Sequence, residues 1–195
     1  MSTIDYYNKN AKSYFDKTVD ARMVEQYNIF LKHVKFNGKI LDFGCGSGRD
    51  SLAFKNMGFQ VYPIDGSEEL CKLARQYTGL DVKCMDFFDL NDEEFYDGIW
   101  ACSSILHVQR SRYLELLRKM RNAIKTDGSM YISFADGYDE EVYKEDGRYF
   151  NDLNEKSFID LTSLANLRVV EYIKNKSNIS AHNNVTWNIF ILKRR

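Results

Sequence analysis

Apolar and polar positions along this 195-residue chain change their period several times. Met23, Tyr27, Phe30, Leu31 and Val34 recur on one helical face behind a candidate cap at Asp20, which predicts a helix over 21–34; residues 5–17 carry a similar amphipathic pattern. Short apolar runs then take over. Residues 39–43, 60–64, 82–85, 96–102 and 129–135 read as buried strands, with helices over 47–57, 67–77 and 111–124 between them. Parallel neighbours need a crossover, so this alternation predicts a parallel sheet with helices on both faces. The final third breaks the rhythm. A helix near 155–164 precedes two strand-like runs, 168–175 and 185–193, separated only by a short loop around 181–184, so they must pair as an antiparallel hairpin. The expected fold class is α/β: three layers around a seven-stranded, mostly parallel sheet closed by an antiparallel C-terminal hairpin.

Composition narrows this to one domain. Lys and Arg number 27 against 28 Asp and Glu, a formal charge of -1 that lacks the cationic footprint of a nonspecific nucleic-acid binder. Hydrophobic residues at 44% supply enough material for a buried core. Cys45, Cys71, Cys84 and Cys102 form no C-x-x-C pair and meet no histidine cluster, so no metal site is expected and a reduced, cytoplasmic protein is. The N-terminal stretch has no apolar signal core, and no apolar run approaches the roughly 18 residues of a membrane span. Pro63 is the single proline.

The sharpest chemistry lies at Leu41-Asp42-Phe43-Gly44-Cys45-Gly46-Ser47-Gly48-Arg49-Asp50. A glycine-rich turn between strand and helix lets the backbone approach a ligand, because a Cβ at Gly44 or Gly46 would take the ligand's space. The next strand ends in Asp65, 21 residues beyond Gly44, where a carboxylate can accept from both hydroxyls of a ribose. Together these features imply an adenosine-containing cofactor. In the dinucleotide fingerprint G-x-G-x-x-G the third glycine would fall at Arg49, whose side chain obstructs close helix packing.

The pattern present is G-x-G-x-G after Asp42, and with the terminal hairpin it resembles the class I S-adenosylmethionine-dependent methyltransferases, in particular the small tellurite-resistance-like and ubiquinone-biosynthesis-like ones. Asp65-Gly66-Ser67, Met85-Asp86-Phe87, Tyr96-Asp97-Gly98-Ile99-Trp100-Ala101, Leu106-His107-Val108 and Lys125-Thr126-Asp127-Gly128-Ser129 are similar to that family in register, although Thr126 stands where a proline is common. The resemblance implies a Rossmann-like methyltransferase domain over 1–195: a helical lid over 1–37, a cofactor-binding core over 38–135, a substrate-cap loop over 136–155, and a C-terminal helix and hairpin over 156–195.

Carried over by that resemblance, S-adenosyl-L-methionine would lie with its methionine portion on Gly44, Cys45 and Gly46. Asp42 would hold the amino group directly or through water, and Arg49 would meet the carboxylate. Asp65 would bind the ribose, Gly66 and Ser67 would support the adenine side, and Asp86 and the Phe87 amide would read the adenine. Ala101 would border the sulfonium, while Tyr6 and Tyr14 would close over the cofactor or simply pack their helix. His107 is the candidate general base, or a pocket wall without proton transfer. His33 and His182 read as structural or exposed.

The acceptor side is sought in 136–155, which holds eight acids and two bases. Tyr138, Arg148 and Tyr149, with Tyr143 and Trp187, are candidate pocket or rim residues; the charges fit either a cap or a solvated loop. Amino-methylation of bases or glutamine uses an Asp/Asn/Ser-Pro-Pro-aromatic step after the fourth strand, where this chain has Ala101-Cys102-Ser103-Ser104 and no proline. Cytosine C5 chemistry and arginine methylation lack their motifs too. A small-molecule substrate handled by a monomer or homodimer is expected, with no nucleic acid and no membrane. A nicotinamide-dependent oxidoreductase and a catalytically silent cofactor-binding module remain open from the residues alone.

Overall fold

The computed structural model describes residues 2–176 and 185–195. Five strands run parallel: β1 (Lys39–Phe43), β2 (Gln60–Asp65), β3 (Lys83–Cys84), β4 (Tyr96–Cys102) and β5 (Ile124–Ala135). Two more, β8 (Leu167–Lys176) and β9 (Thr186–Arg194), complete the sheet in the order β3-β2-β1-β4-β5-β9-β8, with β9 antiparallel to both neighbours. Helices α1 (Thr3–Thr18), α2 (Val24–Leu31), α3 (Arg49–Asn56), α4 (Glu68–Thr78), α5 (Arg110–Ala123) and α6 (Glu155–Leu164) surround it, and a separate hairpin pairs β6 (Glu140–Tyr143) with β7 (Tyr149–Asp152). Strands β2 and β3 build the sheet one way from β1, and β4 and β5 build it the other way. The carboxyl ends of β1 and β4 therefore diverge and leave a crevice at the switch of direction, which is where such sheets bind ligands.

Period-two alternation sorts the sheet into two cores. Leu41, Phe43, Ile99, Ala101, Ile132 and Phe190 pack one face, under Tyr113, Leu116 and Met120 of α5. Ile40, Trp100, Tyr131 and Ile191 pack the other with Phe30 of α2 and Phe54 of α3. Burial on both faces is why these strands read as unbroken apolar runs. Pro63 opposes Asp42 on β1, just before β3 joins β2 at Ile64 and Asp65, so its missing N–H costs no bond to β3.

Three local expectations shift. The second helix starts at Val24 with Met23 at the cap position and no side-chain cap, so Asp20 does not cap it. On β4 and β5 the register passes from Tyr96–Ile124 to Gly98–Ser129, so 125–128 loops out as an irregularity inside β5. The segment expected as a cap loop holds the β6–β7 hairpin. Its acidic strand is tolerable because Arg110 of α5 pairs with Asp139 at 3.2 Å and donates to the Asp139 carbonyl at 3.0 Å, while the Tyr149 hydroxyl donates to Glu141 at 2.7 Å. His182 and the expected loop around 181–184 lie outside the described residues. Among the described residues no helix is long and apolar enough to cross a membrane.

Candidate active site

The turn after β1 is fixed by its own backbone. The Gly44 and Cys45 amides both donate to the Ile64 carbonyl at 2.9 Å. Gly44 has φ +85°, and a Cβ there would sit 2.4 Å from the Ser104 Cβ, so only glycine fits on both counts. The Gly46 amide donates to Asp65 Oδ2 at 2.9 Å and the Ser67 amide to Oδ1 at 2.8 Å. Burial pushes the Asp65 carboxyl up, and these amides pull it back. Each carboxylate oxygen keeps a lone pair for a ligand hydroxyl. Ser67 caps α4 through the Leu70 amide at 3.3 Å and donates to Asn8 of α1 at 2.7 Å, tying the first helix to this turn.

Asp65, Gly44, Gly46 and Gly66 line a cleft together with Ser103, Ser104 and His107 from beyond β4. A wider depression near Asp136, Glu155 and Lys174 lies away from the glycine turn and gathers none of this chemistry. Helix α1 roofs the smaller cleft. Ile4 approaches to 2.7 Å from where a Gly66 Cβ would stand, and Tyr14 to 3.2 Å from the same position on Gly46. Ser104 Oγ is buried against Gly44 with no hydrogen-bond partner among the described residues. A backbone cradle that a Cβ would fill, an acid at the end of β2 and an orphaned hydroxyl fit a nucleoside-plus-amino-acid cofactor.

His107 stands where the two halves of the cleft meet. Its Nδ1 lies 2.7 Å from the Tyr149 carbonyl and its Nε2 2.8 Å from the Tyr7 hydroxyl. A carbonyl only accepts, so Nδ1 carries the hydrogen and Nε2 accepts from Tyr7. Burial lowers the imidazole pKa to about 4, which keeps it neutral. Burial raises the Tyr7 hydroxyl pKa, and the nearby Arg148 charge works against that rise.

Other expected residues fall elsewhere. Tyr6 does not line the cleft; its ring carries the Arg148 guanidinium at 4.3 Å, and Arg148 pairs with Asp146 at 2.7 Å. Tyr7 takes the place given to Tyr6, and the signal was present: Tyr7 and Tyr14 are seven apart and share a helix face, with rings 5.1 Å apart. Asp42 is sealed beneath the turn, where its Oδ2 accepts from Ser51 at 2.5 Å and burial raises its pKa. Arg49 turns away to grip Asp50 at 2.7 and 2.8 Å and the Thr18 carbonyl at 3.4 Å, while Asp50 also receives Tyr27 and Trp100. Cys45 packs with Cys71, Ala74 and Val82, and Ala101 is wholly inside the sheet, while Ser103 and Ser104 just beyond it line the cleft.

Asp86 is exposed and caps a 3-10 turn through the Phe88 amide at 2.8 Å, outside the cleft lining; the Phe87 ring stacks on Phe43 at 4.2 Å and does line it. Tyr138 is 88% exposed and lies off the cleft, and Tyr143 is exposed against Tyr149. The side chain of Tyr149 points to Glu141, and only its carbonyl reaches His107. Trp187 opposes Ala135 across β5 and β9. Thr3, Ile4, Ser103, Ser104 and Arg110 went unread, since nothing in their sequence neighbourhood announces contacts so far along the chain.

Comparison with known proteins follows the same division. A family model described as a methyltransferase domain matches residues 40–128. An uncharacterized methyltransferase of Staphylococcus carnosus is 26% identical over 188 residues, covering 92% of this chain and 88% of its own length. A ubiquinone biosynthesis O-methyltransferase of Glaesserella parasuis is 26% identical over 148 residues, covering 67% of this chain but only 62% of its own length. Among solved structures, a Burkholderia thailandensis 1,6-didemethyltoxoflavin-N1-methyltransferase with bound 1,6-didemethyltoxoflavin and S-adenosylhomocysteine superposes with a TM-score of 0.79 at 20% identity, covering 98% of this chain and 87% of that one. A TehB-like methyltransferase from Corynebacterium glutamicum gives 0.71 at 16% identity, covering 98% of each chain. At these identities the structural likeness speaks for the fold.

Proposed function

We propose that the chain is a class I S-adenosylmethionine-dependent methyltransferase that methylates a small-molecule acceptor held between α1, His107 and the β6–β7 hairpin. The observation that carries this is the opening of the glycine turn and Asp65 into the same cleft as a neutral, oriented histidine. Bound S-adenosylmethionine supplies a methyl carbon on a sulfonium, a leaving group that needs no acid. Gly44 and Gly46 offer the backbone to its amino-acid portion, Asp65 accepts from the ribose hydroxyls, and Gly66 and the Phe87 ring flank the adenine side. Asp42 and Arg49 act from beneath, stiffening the turn and the end of α1 rather than touching the ligand. Ser104 Oγ gives the cradle a free hydroxyl near the reacting centre.

On the acceptor side, Nε2 of His107 is the one imidazole atom able to take a proton, because Nδ1 is held by the Tyr149 carbonyl. The Tyr7 hydroxyl already lies on Nε2, so an acceptor proton reaches it through Tyr7 or in Tyr7's place. With a pKa near 4, His107 is a weak base suited to an acidic acceptor group or to charge that develops only in the transition state. Ile4, Tyr7 and Tyr14 exclude water. Four free cysteines fit a reducing, cytoplasmic setting.

Titration calorimetry with S-adenosylhomocysteine tests the cofactor half. Wild-type protein should bind, and Asp65→Ala should weaken binding at least about tenfold, roughly 1.4 kcal/mol. No heat from wild type removes the cofactor reading, and near-normal affinity in the variant removes the ribose role. A screen of small acceptors for S-adenosylhomocysteine release separates an enzyme from a silent binder.

A further inference from the structure

Two cysteines of opposite exposure meet behind the ribose-side turn. Cys71 on α4 is fully buried, and Cys84 at the end of β3 is exposed. The two side chains lie close enough that Cys84 is among the groups that raise the Cys71 thiol pKa. Both also serve the turn that follows β2: Cys71 Sγ donates to the Asp65 carbonyl at 3.5 Å and approaches the Lys83 carbonyl at 3.8 Å, while Cys84 Sγ reaches the Gly66 carbonyl at 3.9 Å. The β2–β3 register sets Asp65 directly opposite Cys84, so both sulfurs and the two cleft residues Asp65 and Gly66 belong to one small assembly. Burial pushes the Cys71 thiol up to about 12, and Arg75, whose Nε holds the Val82 carbonyl at 2.8 Å, opposes that rise only in part. Cys45 shares the buried cluster with Cys71.

We propose that Cys84 and Cys71 are an oxidisable pair, with Cys84 the thiol that meets a peroxide and Cys71 the thiol that resolves it, and that the resulting disulfide disables the cofactor-binding turn. This rests on the methyltransferase reading for its consequence, though not for its chemistry. The Cys84 thiolate attacks one oxygen of hydrogen peroxide, the O–O bond breaks, and the departing hydroxide leaves as water with the thiol's proton, giving Cys84 sulfenic acid. The Cys71 sulfur then attacks the Cys84 sulfur; the S–O bond breaks, and the hydroxyl leaves as a second water with the Cys71 proton. Two thiols lose two electrons and two hydrogens, and the peroxide is reduced to two waters. A disulfide needs its sulfurs about 2.05 Å apart, so α4 and the end of β3 must draw together. Both S–H donors to the Asp65 and Gly66 carbonyls vanish at the same step. Asp65 also anchors Gly46 and Ser67, so the shift reaches both sides of the cleft.

Full-length reduced protein is treated with excess hydrogen peroxide, quenched, and examined by peptide mapping and by calorimetry with S-adenosylhomocysteine. The expected result is a linked Cys71–Cys84 peptide two hydrogens lighter than its reduced parts, with affinity lowered at least about fivefold and restored by dithiothreitol. Cys84→Ser should form no link and keep its affinity through the same treatment. Oxidation of Cys84 to sulfinic acid with Cys71 still free overturns the pairing. A quantitative link with unchanged affinity overturns its effect on the turn. Reduced protein that gives no heat points instead to failure of the cofactor reading, and the mapping still decides whether the pair forms.

Discussion

The two walls of the cleft are held by different means. Under the glycine turn, the Gly44, Cys45, Gly46 and Ser67 amides point at the Ile64 carbonyl or at Asp65, and the residues involved lie within about one strand–helix–strand unit. Opposite, His107 is fixed by Tyr7, 100 residues before it, and by Tyr149, 42 residues after it; the Tyr149 amide in turn donates to Thr3. The first wall is local backbone geometry and resists change at single points. The second is a set of side chains from three distant segments, and it can be loosened one contact at a time. A fold of this kind keeps the ligand it always needs on the rigid wall and leaves the wall that chooses the acceptor to adjustable parts.

Gly44→Ala should do the most damage. The left-handed φ and the 2.4 Å approach to Ser104 act together, so the substitution forces the turn away from β4. We expect affinity for S-adenosylhomocysteine to fall by roughly a hundredfold or more and stability by about 1–3 kcal/mol. Calorimetry and thermal unfolding read both. Affinity within threefold of wild type would mean that the rigid wall is not what holds the cofactor.

Stability against pH probes the other wall. His107 has a folded pKa of about 4 against 6.5 for the unfolded chain, so between these values the unfolded state binds more protons and stability rises with pH. The contribution is complete above pH 6.5 and is lost as pH falls through 4. The gap corresponds to about 3 kcal/mol. Urea unfolding of His107→Asn across pH 4 to 7 should therefore show a flatter acid limb than wild type; parallel limbs would place the histidine in water, not under α1.

The same contrast explains what could be read along the chain. The parallel order, the terminal hairpin and the turn from Asp42 to Arg49 follow from periodicity and from short motifs, because β1, its turn and β2 are neighbours in sequence as in space. The placement of Tyr6 over Tyr7 erred by one residue on a helix, which is about 100° of rotation, and the Tyr7–Tyr14 spacing held the better answer. Arg110 could not be found that way. Its importance comes from Asn151 and Asp139, which approach only once α5 packs beside the hairpin. Eight acids in 136–155 likewise hid two strands, since the cation that makes them compatible with a hairpin lies outside the segment.

Arg110 also gives the mildest and most discriminating test of the two walls. Its Nε donates to Asn151 at 3.0 Å, its Nη1 to the Asp139 carbonyl at 3.0 Å, and its own amide to the Tyr149 hydroxyl at 3.1 Å. Arg110→Met keeps the amide and the aliphatic stem but releases the guanidinium from the hairpin that presents the Tyr149 carbonyl to His107. Losing such a partner is worth about 1 kcal/mol, so turnover with an identified acceptor should fall roughly fivefold. Affinity for S-adenosylhomocysteine should stay at the wild-type level, because nothing under the glycine turn touches Arg110. Tyr138→Ala, at a side chain 88% exposed on the same segment, should alter neither quantity. If Arg110→Met instead weakens the cofactor as much as it slows turnover, the walls are mechanically one, and the hairpin supports the glycine turn through α1 as well as orienting His107.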